Sequence, residues 1–125
     1  MQYLRGISVS GMRLDASQLS TLCVQLSSLN CLTSLHLSNN VIDLTPHEDD
    51  HSALNALCSL LSALPALSHL DLSGVSITGC LYDILTSIDS AQLVKLELSE
   101  LWLSEQDLTN LQKFQQKTAV TVILN

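Results

Sequence analysis

Leucines alternate with single polar residues in several short segments of the chain. In one segment Leu35 and Leu37 flank His36, so a strand here would turn both leucines inward and the histidine outward. The segments with this spacing start at Leu4, Leu32, Leu67 and Leu93, with a weaker copy near residue 119. Their starts lie roughly 26 to 35 residues apart. The pattern predicts four to five short strands and leaves the register of the last one open.

Between the strand segments, apolar residues recur at helical spacing. The residues that open these stretches can accept hydrogen bonds from free backbone N–H groups: Asp15, Asp43, Thr78 and Ser104. Gln18, three residues after Asp15, completes a capping box. The extra residues 43–51 are predicted to lengthen the second helix at its start, and the third helix is predicted over about residues 80–87. The residues expected to be buried in the last two helices are Leu81, Ile84, Leu85, Ile88, Leu108, Leu111 and Phe114.

The residues from Leu32 to Ile42 match the template L-x-x-L-x-L-x-x-N-x-L at every constant position. The chain therefore resembles the leucine-rich repeat family. Its long repeats, with a helix in each, are similar to the ribonuclease-inhibitor-like subtype, which also occurs in the sensor domains of NOD-like receptors. The resemblance implies an α/β solenoid, with parallel strands on the concave face and helices on the convex face. Asn40 takes the asparagine position, where a buried amide can bond the backbone of neighbouring turns. The other repeats have Met12, Val75 and Leu101 there.

Residues 1–125 are predicted to form one leucine-rich repeat domain of about four repeats plus a final strand. The segment from Met1 to Val9 enters the first strand without a preceding capping helix, which would leave unpaired backbone groups at the edge of the sheet. We therefore expect either that the chain is a fragment of a longer protein or that this edge meets a partner. Self-association through the edge strand is one form of the second expectation.

Net charge and composition limit the partners and the cellular location that the chain can be expected to have. Twelve acidic residues against five basic ones give a net charge of −7, which disfavours nucleic acid and favours a partner protein with a basic surface. The sequence has no run of about 18 apolar residues and no signal-peptide pattern, so we expect no membrane association. The four cysteines lack C-x-x-C spacing and are expected to be buried free thiols. These features predict an intracellular protein, cytoplasmic or nuclear, without a cofactor.

The outward positions of the predicted strands supply the candidate binding surface. The central column reads Ser8, His36, Asp71 and Glu97, and the columns on either side read Gly6, Ser34, His69 and Lys95, and Ser10, Ser38, Ser73 and Ser99. Such a face is either merely solvated or binds a protein, and it offers no oxyanion hole or nucleophile elbow for a hydrolytic triad. We predict a non-catalytic protein-interaction module that binds its partner through Arg5, His36, His69, Asp71, Lys95, Glu97, Glu100 and Trp102. Packing of Trp102 against the last helix is slightly favoured over exposure at the rim.

Residues 43–51 form a second region of interest. Glu48, Asp49 and Asp50 are predicted at the positive end of a helix dipole, and they form the secondary partner-binding surface. Together with His47 and His51 they match H-E-x-x-H, a zinc hydrolase motif. Catalysis there needs a third ligand and a cleft, and the sequence shows neither, so no metal ligand or catalytic residue is assigned. The alternatives to an interaction module are a structural set of terminal repeats and a zinc-dependent hydrolase.

Overall fold

A computed structural model describes residues 5–29, 31–40, 44, 52–88 and 93–124. In this part of the chain strands and helices alternate in an α/β arrangement. The strands are β1 (Gly6–Ser8), β2 (Ser34–His36), β3 (His69–Asp71), β4 (Lys95–Glu97) and β5 (Thr121–Ile123). The helices are α1 (Ala16–Leu26), α2 (Ser52–Ala63), α3 (Leu81–Ser87) and α4 (Glu105–Lys117). None of the described helices is long and apolar enough to cross a membrane.

The five strands form one parallel sheet in chain order, from β1 to β5. Parallel neighbours need a crossover, and a helix lies between each strand and the next along the chain. The central residues of the strands pair in one row: Ile7, Leu35, Leu70, Leu96 and Val122. This row confirms the predicted alignment of the leucine segments. It also fixes the register of the last strand, which the sequence left open, because Val122 pairs with Leu96.

The core is built from aliphatic side chains of the strand segments and of the helix faces toward them. In α3 and just after it, Leu81, Ile84, Leu85 and Ile88 are buried, as predicted. In α4 the prediction is only partly right, since Leu111 is buried and Phe114 half-buried, whereas Leu108 is 43% exposed. The buried residue in the first turn of α4 is instead Asp107. Its carboxylate bonds backbone N–H groups, so burial costs it no hydrogen-bond partner.

Two of the predicted helix caps are present. Asp15 and Gln18 form the capping box of α1, and Ser104 caps α4, where Asp107 supplies the reciprocal bond. The prediction for Thr78 is wrong, because the residue before α3 is Cys80, whose side chain makes no capping bond. The Thr78 hydroxyl instead donates to the carbonyl of Trp102, at 2.7 Å, and so joins two successive turns. Asp43 and the predicted start of the second helix lie outside the described residues.

The Asn40 side chain bonds two successive turns, as predicted. Its Oδ1 accepts from the backbone N–H groups of Met12 and Leu14, at 3.0 and 2.9 Å. Its Nδ2 donates to the carbonyls of Val9 and Leu37, at 3.0 and 3.1 Å. The amide therefore ties the turn after β2 to the turn after β1.

None of the four cysteines forms a disulfide, so all are thiols. Cys23 and Cys80 are buried, as predicted, whereas Cys31 and Cys58 are half-buried. Burial raises the pKa of the Cys23 thiol to about 12 and also raises that of Cys58. Cys23 is therefore a core side chain rather than a nucleophile at neutral pH.

Candidate functional site

The outward side chains of the sheet form ordered columns, which we call the polar strand face. In the central column Ser8 pairs with His36, His36 with Asp71, and Asp71 with Glu97. Neighbouring strands lie about 4.8 Å apart, so these side chains form a regularly spaced row across the sheet. The predicted ladder is therefore present from β1 to β4. At β5 the column ends on Ile123, an apolar residue.

His36, Asp71 and Glu97 form the most concentrated group of polar side chains on this face. The His36 Nδ1 lies 3.6 Å from Asp71 Oδ2, and the donor atoms of all three residues lie within 4.8 Å of one another. The other carboxylate oxygen of Asp71 accepts from the backbone N–H of Ser73 at 3.0 Å. That bond holds the carboxylate in place, so only Oδ2 is presented to the histidine.

The neighbouring column adds His69 and Lys95, which pair across β3 and β4. The Lys95 ammonium lies 3.4 Å from Glu97 Oε1, and both side chains are partly exposed. The His69 Nδ1 lies 2.9 Å from the Ser68 hydroxyl. The two acids of the central column thus lie beside the two basic residues of the neighbouring column. An exposed ion pair of this kind stabilises the fold by less than about 1 kcal/mol, which leaves it available for exchange with a partner's charges.

The serine, histidine and aspartate side chains of this face do not form a catalytic chain in the described residues. The serine hydroxyl at Ser68 contacts His69, whereas the carboxylate of Asp71 faces His36. A triad needs its serine and its acid on the same imidazole. The Ser68 hydroxyl also donates to the carbonyl of Thr33, at 3.1 Å, so its proton is already engaged with the backbone.

The serines of the third predicted column form hydrogen bonds within the protein. The hydroxyls of Ser10 and Ser38 lie 2.9 Å apart, and the Ser73 hydroxyl accepts from the backbone N–H of Ser99 at 2.9 Å. These serines join successive turns and bury part of their polar surface. They therefore contribute more to the fold than to a binding surface.

Trp102 and Glu100 lie just after β4, beyond the end of the polar ladder. The sequence-based preference for packing Trp102 against the last helix is wrong, since its side chain is 74% exposed. Leu101 and Leu103 turn toward the core on either side of it, and the alternation directs the indole outward. Glu100 is also exposed and has a left-handed backbone, with φ of 57°. Both side chains are free to meet a partner.

The structure therefore gathers only part of the predicted surface. It brings together His36, Asp71, Glu97 and Lys95, with His69 beside them. Arg5 is exposed just before β1, on the far side of β2 and β3 from Glu97. His47, Glu48, Asp49, Asp50 and His51 lie outside the described residues, so the secondary acidic surface and the H-E-x-x-H motif stay predictions.

The helical side of the protein carries a groove that the sequence did not suggest. It lies between α3 and α4, has a volume of about 330 Å³, and is lined by residues that include Tyr82, Phe114 and Lys113. Its lining comes from two helices whose spacing depends on tertiary packing, so no local pattern identifies it. No protein-family model matches this chain, and no curated protein matches it.

Proposed function

We propose that this chain is a non-catalytic protein-interaction module, a short leucine-rich repeat solenoid that binds a partner protein through its polar strand face. The observation that carries the proposal is the column of His36, Asp71 and Glu97, held in register on three adjacent strands. Side chains spaced by a sheet are presented in a constant arrangement, so a partner can bind them without a large rearrangement of the backbone.

Two repeated features support the solenoid. Each helix packs against the next helix in chain order, just as each strand pairs with the next strand. The second residue after each template strand segment has positive φ in all four turns: Gly11, Asn39, Gly74 and Glu100. A repeating backbone accounts for this shared left-handed conformation, which glycine adopts readily and which costs asparagine and glutamate some strain. Stacked like units with neighbour contacts are the hallmark of solenoids, and in that arrangement the strands line the concave face.

The charges of the face favour a partner with a basic surface. Asp71 and Glu97 occupy its centre, Glu100 and the exposed Trp102 adjoin it, and the chain as a whole has a net charge of −7. Exposed aromatic residues near charged groups are frequent binding hot spots. Cysteines without disulfide bonds suit a reducing compartment, so we propose that the protein lies inside the cell, in the cytoplasm or nucleus.

A capture experiment with two matched triple variants tests the proposal. The first variant, Asp71→Lys, Glu97→Lys and Trp102→Ala, alters the strand face. The control, Asp83→Lys, Glu105→Lys and Tyr82→Ala, makes matching charge reversals and replaces an exposed aromatic residue by alanine, all on α3 and α4. The proposal expects proteins captured from cell lysate by the natural chain to be lost with the first variant and kept with the control.

Because the two variants have equal net charge, a general charge effect would remove the same proteins from both. Retention of every captured protein by the strand-face variant would contradict the proposal. Thermal unfolding of each variant should be recorded first, since Asp71 is mostly buried and bonds the backbone of Ser73. Trp102→Ala alone then serves as the milder test, because this side chain is mostly exposed.

A structural role is the second candidate, and the apolar end of the sheet favours it. Beside β5 a groove of about 260 Å³ is lined by Leu98, Leu101, Leu103, Leu108 and Leu124. Leu108 and Leu124 are each more than two-fifths exposed, which is what a further stacked repeat or a second copy would cover. In sedimentation velocity the structural role predicts self-association that Leu108→Glu abolishes. A chain that stays monomeric at high concentration would contradict self-association at this end.

A further inference from the structure

We propose that His36, Asp71 and Glu97 form a binding site for a divalent transition-metal ion, with Zn²⁺ as the best-fitting ion. The site would use one imidazole nitrogen and one oxygen from each carboxylate. It needs no partner protein, so it stands apart from the proposed interaction function and is tested separately.

Side-chain length makes this set able to converge on one point. The three residues occupy the same register position on β2, β3 and β4, with the short aspartate between two longer side chains. Histidine and glutamate can therefore lean inward over Asp71 from either side. The donor atoms already lie within 4.8 Å of one another. A tetrahedral zinc ion holds its donors roughly 3.3 Å apart, so side-chain rotations alone would close the site.

The spacing of His36 and Asp71 is the most specific support. Their nearest atoms, Nδ1 and Oδ2, are 3.6 Å apart. This distance is too long for an ordinary hydrogen bond. It is close to the separation of two donors that share a zinc ion, with bonds of about 2.0 to 2.2 Å. This spacing therefore suits an ion shared by the two atoms as well as a direct ion pair.

The Asp71 carboxylate is also oriented in the way that metal ligands usually are. Its Oδ1 accepts from the Ser73 backbone N–H, and this bond leaves Oδ2 facing His36. Bonds of this kind set the direction of a ligand and are part of most protein metal sites. A mixed set of imidazole and carboxylate donors favours zinc and its neighbours over magnesium or calcium, which prefer oxygen alone. The fourth position would face outward, toward water.

Lys95 competes with the ion. Its ammonium lies 3.4 Å from Glu97 Oε1, and this contact must break or move to the other oxygen when a metal binds. Removing the positive charge of Lys95, which lies outside the ligand set, should therefore tighten metal binding. Lys95→Gln is expected to raise the zinc affinity a few-fold, because it frees Glu97 and removes a nearby positive charge.

Titration calorimetry with Zn²⁺ on the full chain tests the site. All proteins carry His47→Ala and His51→Ala, so that this second histidine pair contributes nothing. The expected result is one ion per chain, with binding weakened about tenfold or more by His36→Gln or Glu97→Gln. His69→Gln is the matched control, since this exposed histidine lies one column away and contacts Ser68, and it should change the affinity less than about twofold.

A second readout distinguishes metal binding at the proposed site from metal binding at the cysteines. Co²⁺ substituted for Zn²⁺ should give a visible spectrum without the thiolate charge-transfer band that sulfur ligands produce. The proposal is overturned if zinc does not bind, if His36→Gln and Glu97→Gln leave the affinity unchanged, if His69→Gln weakens binding equally, or if the thiolate band appears. Circular dichroism of each variant without metal verifies its fold, and Asp71→Asn provides a further ligand change should either variant fail to fold.

Discussion

Asn40 is the residue on which two consecutive turns depend. Its amide is buried, accepts from two backbone N–H groups and donates to backbone carbonyls of both turns. An alanine there would leave buried and partly buried backbone groups without partners, and a fully buried group of this kind costs about 1–3 kcal/mol. The side chain thus does more for stability than its small apolar surface would suggest.

We expect Asn40→Ala to lower the free energy of unfolding by at least about 2 kcal/mol. Asn55→Ala is the matched control, because Asn55 is exposed on α2 and alanine favours helix there. Urea denaturation of the two variants measures the difference. Equal stability of the two would show that the Asn40 bonds contribute little.

The burial of Cys23 predicts a dependence of stability on alkaline pH. Burial, with a smaller effect of the nearby Cys58, raises the pKa of the Cys23 thiol from 9.0 to about 12. Between these values the unfolded chain loses a proton that the folded chain keeps, so the free energy of unfolding falls as pH rises. Below about pH 9 both states are protonated and this contribution is constant.

Urea denaturation at several pH values from about 8 to 11 would measure this effect. The Cys23→Ala variant should be less stable overall because of its cavity, but its stability should decline less steeply with pH. Tyrosines and lysines titrate in both proteins and therefore cancel in the comparison. Parallel curves for the two proteins would rule the effect out.

At the scale of elements, Asp107 connects the start of α4 to the preceding helical unit. One carboxylate oxygen accepts from the backbone N–H of Ser104, in the capping box, and from that of Gly79, just before α3. The same position of α1 has Gln18, which makes the capping bond and is exposed. A buried, charge-assisted hydrogen bond therefore connects the first turn of α4 to the turn before α3.

We expect Asp107→Ala to destabilise the protein by about 2–3 kcal/mol, and Asp107→Asn by less, because an amide oxygen can still accept both bonds. Thermal unfolding of both variants tests this order. Glu105→Ala, which changes an exposed acid in the same turn, should cost no more than about 1 kcal/mol. If alanine and asparagine at residue 107 were equally harmful, charge rather than hydrogen bonding would be the stabilising feature.

At the scale of the whole molecule, contacts run between neighbouring units. Each helix packs on the next and each strand pairs with the next. Among the described residues the outer strands β1 and β5 therefore have one paired edge, and the inner strands have two. In such an arrangement the end units can open while the centre stays folded.

Hydrogen exchange can test this gradient with amides that make equivalent bonds. Leu37 donates to Asp71 and Leu72 to Glu97, at 2.9 and 3.0 Å, whereas Val9 at the first strand donates to His36 at 3.0 Å. We expect the Val9 amide to exchange at least about tenfold faster than the two inner amides, because the unit that carries it opens locally. Uniform protection would instead indicate that the protein unfolds in one step.

The sequence by itself determined the strand segments, the inward row of leucines, the bonding of Asn40, the capping box at Asp15 and the capping residue Ser104. The strands and caps follow from side-chain alternation and from bonds between residues three apart, which a local pattern contains. The bonds of Asn40 reach a turn 26 to 31 residues away, and the repeat template rather than a local bond implies them. Only the tertiary structure decided that Asp107 is buried, that Trp102 is exposed and that Thr78 bonds the next turn. The tertiary structure also decided the 3.6 Å separation of His36 Nδ1 and Asp71 Oδ2. Each of these depends on how residues more than twenty positions apart meet in space, and no local pattern records that.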